Sequence, residues 1–211
     1  MTFPDARRAY PVTLPDGSDH AGTVFLSRVI DHPGWEVGDY TYASDFDPPA
    51  DWASHLAPYL FGGPERLRIG RYCQIAHGVR FITSGANHAV DGLTTFPFPI
   101  FDPAQIGSYQ PDTRDTVIGH DVWLGYGAMV CPGARIGNGV MVGAGAVVRG
   151  AVPDYAIVTG NPAQVMRMRF APDTIRHLLD LAWWDWRADT VAHAVPALLG
   201  GDVDALQRLA P

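Results

Sequence analysis

Aliphatic residues recur at every sixth position through the middle of the chain. Residues 118–153 divide without a gap into six hexads, which read IGHDVW, LGYGAM, VCPGAR, IGNGVM, VGAGAV and VRGAVP. The first position is always aliphatic, the fifth is always small or β-branched, and the fourth is glycine in four of the six. A period of six fits neither the 3.6-residue repeat of a helix nor the simple alternation of an isolated strand.

A short strand followed by a tight corner explains this period. The first residue of each hexad then points inward, and glycine permits corner conformations that other residues avoid. Stacking such coils pairs the backbone groups of successive turns and aligns equivalent positions into a continuous core. The same phase occurs earlier, in IGRYCQ from Ile69, IAHGVR from Ile75 and VGDYTY from Val37. The repeat therefore predicts a mainly β protein built as a parallel β-solenoid.

The interruptions of the repeat predict the domain organisation. We expect an N-terminal arm over 1–36, a β-helix domain over 37–170 with loop insertions at 43–66 and 83–116, and a C-terminal helical cap over 171–211. Loops of this length inside a compact domain are usually functional.

The segment PDTIRHLLDLAWWDW predicts a helix at the C-terminal side of the solenoid. Its apolar residues from Ile175 to Trp186 recur at spacings of three and four, after a helix start at Pro172 and Asp173. We expect this helix to pack across the last coil, because exposed solenoid ends need a cap.

Composition and charge narrow the class of protein. The chain has 211 residues, of which 47% are hydrophobic and 18% charged, enough to bury a single core. A formal net charge of −7 argues against a nucleic-acid partner. Neither a membrane-spanning stretch nor the apolar part of a secretory signal is present, so we expect a cytoplasmic protein without a membrane partner. Cys73 and Cys131 are isolated in sequence, which favours packing thiols.

Six segments point to a known family: VGDYTY (37–42), GANHAVDG (85–92), TFPF (95–98), DTVIGHDVWLG (115–125), YAIVTGNPAQVMRMRF (155–170) and LLDLAWWDW (178–186). They resemble the xenobiotic acetyltransferases, a subfamily of the hexapeptide-repeat acyltransferases that includes hexapeptide-type chloramphenicol acetyltransferases and streptogramin A acetyltransferases. The resemblance implies a left-handed parallel β-helix with acetyl-coenzyme A as the acyl donor and no metal. It also implies a homotrimer with active sites between subunits.

The catalytic base of these relatives is a loop histidine, which corresponds to His88. An alcohol is a weak nucleophile, and a neutral imidazole can take its proton as the hydroxyl attacks a thioester carbonyl. Asp91 could orient the imidazole or only shape the loop, and Asn87 is expected to form a turn. A zinc site is disfavoured, because His77, His88 and His120 lack the paired spacing within one coil that β-helix carbonic anhydrases use.

The resemblance also assigns a coenzyme site along the coils. Trp123 is expected to border the acyl-transfer site, while small residues with exposed backbone would approach the pantetheine arm and arginines would suit its phosphates. The residues assigned to the coenzyme are Trp123, Gly125, Tyr126, Gly143, Ala144, Gly160, Asn161, Pro162, Arg167 and Arg169. A structural tryptophan and a solvated basic face are the alternatives.

The acceptor is the least determined part of the site. Tyr42 matches a family tyrosine at the mouth of the acceptor pocket, and Phe96 and Phe98 could supply an apolar wall. SYQPDTRDTVIG looks more like the chloramphenicol group, whereas GANHAVDG looks more like the streptogramin group. We therefore expect O-acetylation of a small-molecule hydroxyl, on an antibiotic or a natural-product intermediate. O-acetylation of a sugar or polysaccharide, and a non-catalytic β-helix binding scaffold, are the alternatives.

Overall fold

The computed structural model describes residues 3–109 and 111–211. Met1 and Thr2 of the predicted arm and Gln110 of the second insertion lie outside the described residues. The strands are β1 (Thr23–Phe25), β2 (Trp35–Val37), β3 (Tyr42–Ser44), β4 (Leu67–Ile69), β5 (Gln74–Ile75), β6 (Arg80–Phe81), β7 (Thr116–Ile118), β8 (Trp123–Leu124), β9 (Met129–Val130), β10 (Arg135–Ile136), β11 (Met141–Val142), β12 (Val147–Val148), β13 (Ala151–Val152), β14 (Ala156–Thr159) and β15 (Gln164–Met168).

The α-helices lie at the two ends of the chain. They are α1 (Leu26–Val29), α2 (Trp52–Leu56), α3 (Pro172–Leu181), α4 (Ala188–Gly200) and α5 (Val203–Leu209). Single 3₁₀ turns cover Ser84–Ala86, Phe98–Phe101, Ile106–Ser108 and Trp183–Asp185. No helix in the described parts of the chain combines the length and hydropathy needed to cross a bilayer.

From β1 to β14, successive strands lie in different sheets, so the chain winds as a solenoid with three sides. One side is a five-stranded sheet of order β13-β10-β7-β4-β2, and another is a three-stranded sheet of order β12-β9-β6. The third side is a seven-stranded sheet of order β1-β3-β5-β8-β11-β14-β15. All pairings are parallel except those of β1 and β15 at the sheet edges. The predicted parallel β-solenoid is confirmed.

The register between coils turns the six-residue period into a core. Ile75 pairs with Leu124, and Val142 follows in the next coil, so that first-position side chains stack in one column. The fifth-position residues Val122 and Ala128 are fully buried beside these columns. Each inward residue is covered by its equivalents above and below, because coils lie about 4.8 Å apart.

The prediction of a sixth full hexad, VRGAVP at 148–153, is wrong. Val152 pairs with Ile136 in the five-stranded sheet, although it follows the preceding inward residue, Val148, by four positions instead of six. The turn at Arg149–Gly150 is therefore two residues shorter than the turns below it. Val152 is the first residue of the next side rather than a fifth-position residue.

The three edges of the solenoid turn through left-handed residues of different types. We call them the aromatic corner, the glycine corner and the loop corner. The aromatic corner follows the five-stranded sheet and contains Tyr40, Tyr72, Asp121, Gly139 and Tyr155; the glycine corner follows the seven-stranded sheet and contains Gly78, Gly127, Gly145 and Gly160; the loop corner follows the three-stranded sheet and contains Gly133 and Gly150.

The C-terminal helices pack along the aromatic corner, which corrects the expected placement across the last coil. Trp184 stacks on His120 with ring centroids 5.3 Å apart and planes 4° apart, and its carbonyl accepts a hydrogen bond from Arg71. Trp183 lies 4.8 Å from the ring of Tyr72. Helix α3 also ends at Leu181 rather than continuing to residue 186. These contacts span several coils because the corner presents aromatic side chains where the other corners present glycine.

Replacing Gly139 with alanine tests this corner against a matched control. Both Gly139 and Gly150 have a positive φ, of 65° and 68°, but a Cβ at Gly139 would lie 2.4 Å from the Tyr155 ring, whereas nothing lies within 4 Å at Gly150. Gly150→Ala should lower the free energy of unfolding by about 1 kcal/mol, because alanine is strained in the left-handed conformation. Gly139→Ala should lower the free energy of unfolding by about 1–3 kcal/mol more than Gly150→Ala, because the Tyr155 ring must move. Urea unfolding measures both, and equal losses would contradict this packing.

Candidate active site

A buried carboxylate fixes the base of the loop that carries His88. Glu65 is 6% exposed, and its two oxygens accept hydrogen bonds from the backbone N–H of Ser84 at 2.8 and 2.9 Å. Burial raises the pKa of Glu65, against the opposing effect of the Ser84 hydrogen bonds. At Gly85 a Cβ would lie 2.1 Å from the carbonyl oxygen of Tyr59, so the loop can start there only with glycine. Sequence reasoning missed Glu65, since a lone acidic residue carries no motif.

Hydrogen bonds join the two arms of this loop. The side-chain amide of Asn87 donates to the carbonyl of Asp112 at 3.1 Å, and the N–H of Ala89 donates to the hydroxyl of Tyr109 at 2.9 Å. Asn87 therefore bridges the arms, in addition to following the 3₁₀ turn at Ser84–Ala86. The residues on either side of the histidine are held by partners 20 and 25 positions away in sequence.

The imidazole of His88 is oriented by a backbone carbonyl. Its Nδ1 lies 2.7 Å from the carbonyl oxygen of Thr95. A carbonyl only accepts hydrogen bonds, so Nδ1 carries the proton and Nε2 keeps its lone pair. Among the described residues, Asp91 makes no hydrogen bond to this ring. The orienting role that the sequence allowed for Asp91 is filled by Thr95.

A cleft of about 630 Å³ opens beside His88. Pro97, Ile100 and Tyr109 are among the residues that line it. Phe96 and Phe98 lie next to it in an exposed cluster, with ring centroids 4.6 Å apart and exposed fractions of 51% and 65%. In one chain these two rings form an uncovered apolar surface rather than a pocket wall.

Except for Arg169, the residues assigned to the coenzyme lie on the seven-stranded sheet and the glycine corner. Trp123 and Tyr126 are 45% and 58% exposed, which is unusual for large aromatic side chains. Tyr42 is on the same sheet, since both Tyr42 and Trp123 pair with Gln74. Burial raises the pKa of Tyr42, so its hydroxyl stays protonated and can donate a hydrogen bond.

The backbone N–H groups at the glycine corner differ in whether they already donate a hydrogen bond to another part of the backbone. The N–H groups of Tyr126 and Ala144 donate no backbone hydrogen bond within the described residues. Gly125 is buried, and its N–H donates to the carbonyl of Val142, while Gly143 donates in the same way to the next coil. The expectation of exposed backbone at Gly125 is therefore wrong, because coil stacking uses those groups.

The turn of sequence GNPA, at residues 160–163, lies at the C-terminal end of the glycine corner. Gly160 accepts a hydrogen bond from the N–H of Val147, and Ala163 donates one back to Val147, so Asn161 and Pro162 project between two anchored residues. Both projecting residues are exposed. The turn offers a rigid edge at the end of the corner.

The two candidate phosphate ligands have different surroundings. Arg167 is exposed on β15. Arg169 is partly buried, and its guanidinium donates to the Gly139 carbonyl at 2.7 Å and lies 3.5 Å from the Asp121 carboxylate. Burial raises the pKa of Asp121, with Arg169 acting in the opposite direction. These contacts favour a structural role for Arg169 at the aromatic corner.

Within one chain, the two halves of the predicted site lie at different edges. The base of the His88 loop contacts the loop corner, where Ser84 and Asn87 share a cleft with Pro132 and Gly133. Trp123 lies on the seven-stranded sheet, which the glycine corner follows. Because the three-stranded sheet separates these corners, a single chain does not bring the predicted base to the coenzyme residues.

The histidines weighed as a zinc site are also spread over the molecule. His77 lies at the glycine corner, His120 at the aromatic corner and His88 in the loop. Burial lowers the pKa of His120. No group of three or more histidine, cysteine, aspartate or glutamate side chains in residues 3–109 and 111–211 is placed to hold a metal.

Comparisons with known proteins place this arrangement among acetyltransferases. The family model described as bacterial transferase hexapeptide (six repeats) matches residues 115–150. A chloramphenicol acetyltransferase of Agrobacterium fabrum is 40% identical over 88% of this chain and 91% of its own length. A virginiamycin A acetyltransferase of Staphylococcus aureus is 35% identical over 87% of this chain and 85% of its own. A solved hexapeptide-repeat acetyltransferase of Vibrio cholerae, complexed with acetyl-coenzyme A, aligns over 65% of this chain and 62% of its own with a TM-score of 0.43 and 22% identity.

Substitution of Glu65 tests the loop anchor. Glu65→Ala removes the acceptor for the buried N–H of Ser84, and an unsatisfied buried donor costs about 1–3 kcal/mol. Glu65→Gln keeps one acceptor oxygen and should therefore lose less stability than Glu65→Ala. The exposed Asp91 serves as the control, and Asp91→Ala should leave stability unchanged. Hydrogen exchange of the Ser84 amide and thermal unfolding report the effect, and equal behaviour of Glu65→Ala and Asp91→Ala would rule the anchor out.

Proposed function

This chain belongs to the hexapeptide-repeat acetyltransferases that include the chloramphenicol and virginiamycin A enzymes, and we propose that it acetylates a hydroxyl of an antibiotic-like small molecule with His88 as the general base. The family assignment makes the protein an acyltransferase that uses acetyl-coenzyme A. The observation that carries the mechanism is the short contact between His88 and Thr95, which leaves Nε2 as a proton acceptor. We also infer the left-handed winding typical of the family.

The residues of this chain supply positioning and proton transfer. Acetyl-coenzyme A supplies the acetyl group as a thioester. The N–H groups of Tyr126 and Ala144 would bind the pantetheine amides, and exposed Arg167 would suit a phosphate. Trp123 would border the acyl-transfer site, because its exposed ring lies on the sheet that leads into this corner. Gly125, Gly143 and Arg169 support the site through coil stacking and the aromatic corner.

The proton of the acceptor hydroxyl would pass to Nε2 of His88. The hydrogen bond from Nδ1 to Thr95 fixes the ring and stabilises the imidazolium that forms. The cleft beside the ring accommodates the acceptor, and the exposed rings of Phe96 and Phe98 would cover its apolar part. Apolar aromatic surface with one proton acceptor suits a moderately apolar alcohol better than a sugar.

The separation of the two halves supports a homotrimer with active sites between subunits. A loop at the loop corner of one copy would reach the glycine corner of the next, which repeats around a threefold axis. The uncovered Phe96 and Phe98 rings fit this arrangement, because a second copy would shield them from water.

Loss of the base should abolish most of the chemistry. His88→Ala should lower kcat by about 10²- to 10⁴-fold with unchanged thermal stability and coenzyme A binding. His193→Ala, at an exposed histidine on α4, is the matched control and should keep full activity. Free-thiol release with chloramphenicol, a streptogramin A and simple glycosides measures turnover. Unchanged turnover in His88→Ala would remove the base from this mechanism, and turnover with glycosides alone would assign a sugar acceptor.

Mixed oligomers test whether the site is shared. Ala144→Trp would block the exposed glycine corner, and His88→Ala removes the base. Each variant alone should be inactive, while their co-expression should recover about a quarter of wild-type activity, because random assembly pairs an intact loop with an intact neighbouring corner in that fraction of sites. Light scattering should give three chains per particle. A complete absence of recovery in well-formed mixed oligomers would place both halves in one chain.

A further inference from the structure

The glycine corner continues below the proposed coenzyme site. Its projecting residues succeed one another from coil to coil, from Gly160 and Ala144 to Tyr126 and then to His77. Gly145 donates a hydrogen bond to the Tyr126 carbonyl, and Gly127 donates one to the His77 carbonyl, which fixes this order. His77 therefore lies one coil beyond the residues proposed for the pantetheine arm, on the side where the reacting end would be.

Two aromatic rings contact the ring of His77. Phe46 stacks on it with centroids 4.7 Å apart, and the Tyr126 ring lies at 5.4 Å with its plane tilted by 33°. Both neighbours are exposed, by 84% and 58%, so the three rings form an aromatic ledge at the surface. Neither Phe46 nor His77 was assigned a role from the sequence.

One edge of the ring is held by a buried carboxylate. Asp45 is 5% exposed, and its oxygens lie 2.7 Å from Nδ1 of His77 and 3.0 Å from Nε2 of His55. Burial opposes ionisation of Asp45, but the hydrogen bonds from the Asp47 N–H, His55 and His77 outweigh it and lower its pKa. The carboxylate is therefore ionised near neutral pH and acts only as an acceptor.

This carboxylate selects the tautomer of His77. The Phe46 N–H also lies 3.2 Å from Nδ1, but Nδ1 cannot both donate to Asp45 and accept from Phe46. The shorter contact to an ionised group prevails, so Nδ1 carries the proton and Nε2 presents a lone pair. Nε2 makes no hydrogen bond within the described parts of the chain, and the side chain is 28% exposed.

We infer that His77, positioned by Asp45, binds the acceptor by accepting a hydrogen bond from a second polar group of that molecule, a hydroxyl or an amide N–H. This inference rests on the proposed function and names the class of acceptor: a molecule with an apolar part and a hydrogen-bond donor besides the hydroxyl that is acetylated. The aromatic ledge would contact the apolar part, and Nε2 would select for the donor. His55 and Asp45 act through His77 and are positioning residues.

The kinetics of His77 variants separate binding of the acceptor from support of the fold. The assay uses the full-length enzyme and whichever of chloramphenicol, streptogramin A and simple glycosides the unaltered enzyme turns over fastest. His77→Ala should lower kcat/KM for the acceptor about five- to tenfold through KM, because one hydrogen bond is lost, and leave the KM of acetyl-coenzyme A within about twofold. His77→Gln, whose amide reaches the position of Nε2, should recover part of the loss.

Two further variants complete the design. His77→Asn keeps a group near Nδ1 but not near Nε2, so it should behave as His77→Ala does. Asp45→Asn should give a smaller rise in acceptor KM at unchanged coenzyme KM. Equal increases in both KM values, or an unaltered acceptor KM in His77→Ala, would overturn the inference while acetyl transfer itself stands. A lack of transfer by the unaltered enzyme with every acceptor would instead overturn the proposed function and this inference with it.

Discussion

Hydrogen bonding between successive coils is the constraint on which the rest of this protein depends. Each coil must present its amides and carbonyls to the next at a spacing of about 4.8 Å, and only a repeat of constant length keeps the inward residues in line. Where the repeat is shortened, at Arg149–Gly150, the register is recovered at once in β13. Gly125 shows how strictly the rule applies, since its N–H bonds to the next coil despite its place beside residues proposed for the coenzyme.

Because the coils fix the sides, the features that distinguish one part of this chain from another lie mainly at the edges. Here the three edges have separate tasks. The aromatic corner receives the C-terminal helices, the glycine corner offers unoccupied N–H groups, and the loop corner carries the excursion with His88. This separation places the exposed rings of Trp123 and Phe96 in different parts of the chain, one on the seven-stranded sheet and one in the loop with His88.

Sequence alone predicted the solenoid well, because its signal is local and repeated. The inward positions from Ile69 to Val148 could be read from a six-residue period. Features that depend on contacts between distant residues could not be read in this way. The position of Arg169 in the sequence predicts a phosphate ligand, but its guanidinium contacts Asp121 and the Gly139 carbonyl, which are distant in sequence. The anchor at Glu65 likewise depends on a distant residue, Ser84.

The assignment of the helical segment shows the same limit. The spacing of its apolar residues predicted a helix, but not which surface it would cover. Tyrosines at left-handed positions, notably Tyr72 and Tyr155, mark that surface, and their meaning emerges only once the coils are stacked.

The placement of the His88 loop and the glycine corner on different edges has a consequence for how such a protein can diversify. Insertions, deletions and substitutions in the excursion leave the winding of the coils untouched, since the strands on either side of it are held by their neighbours above and below. Under the proposed assignment, the set of acceptors can therefore change through the loop alone, without any change to the corner proposed for the coenzyme.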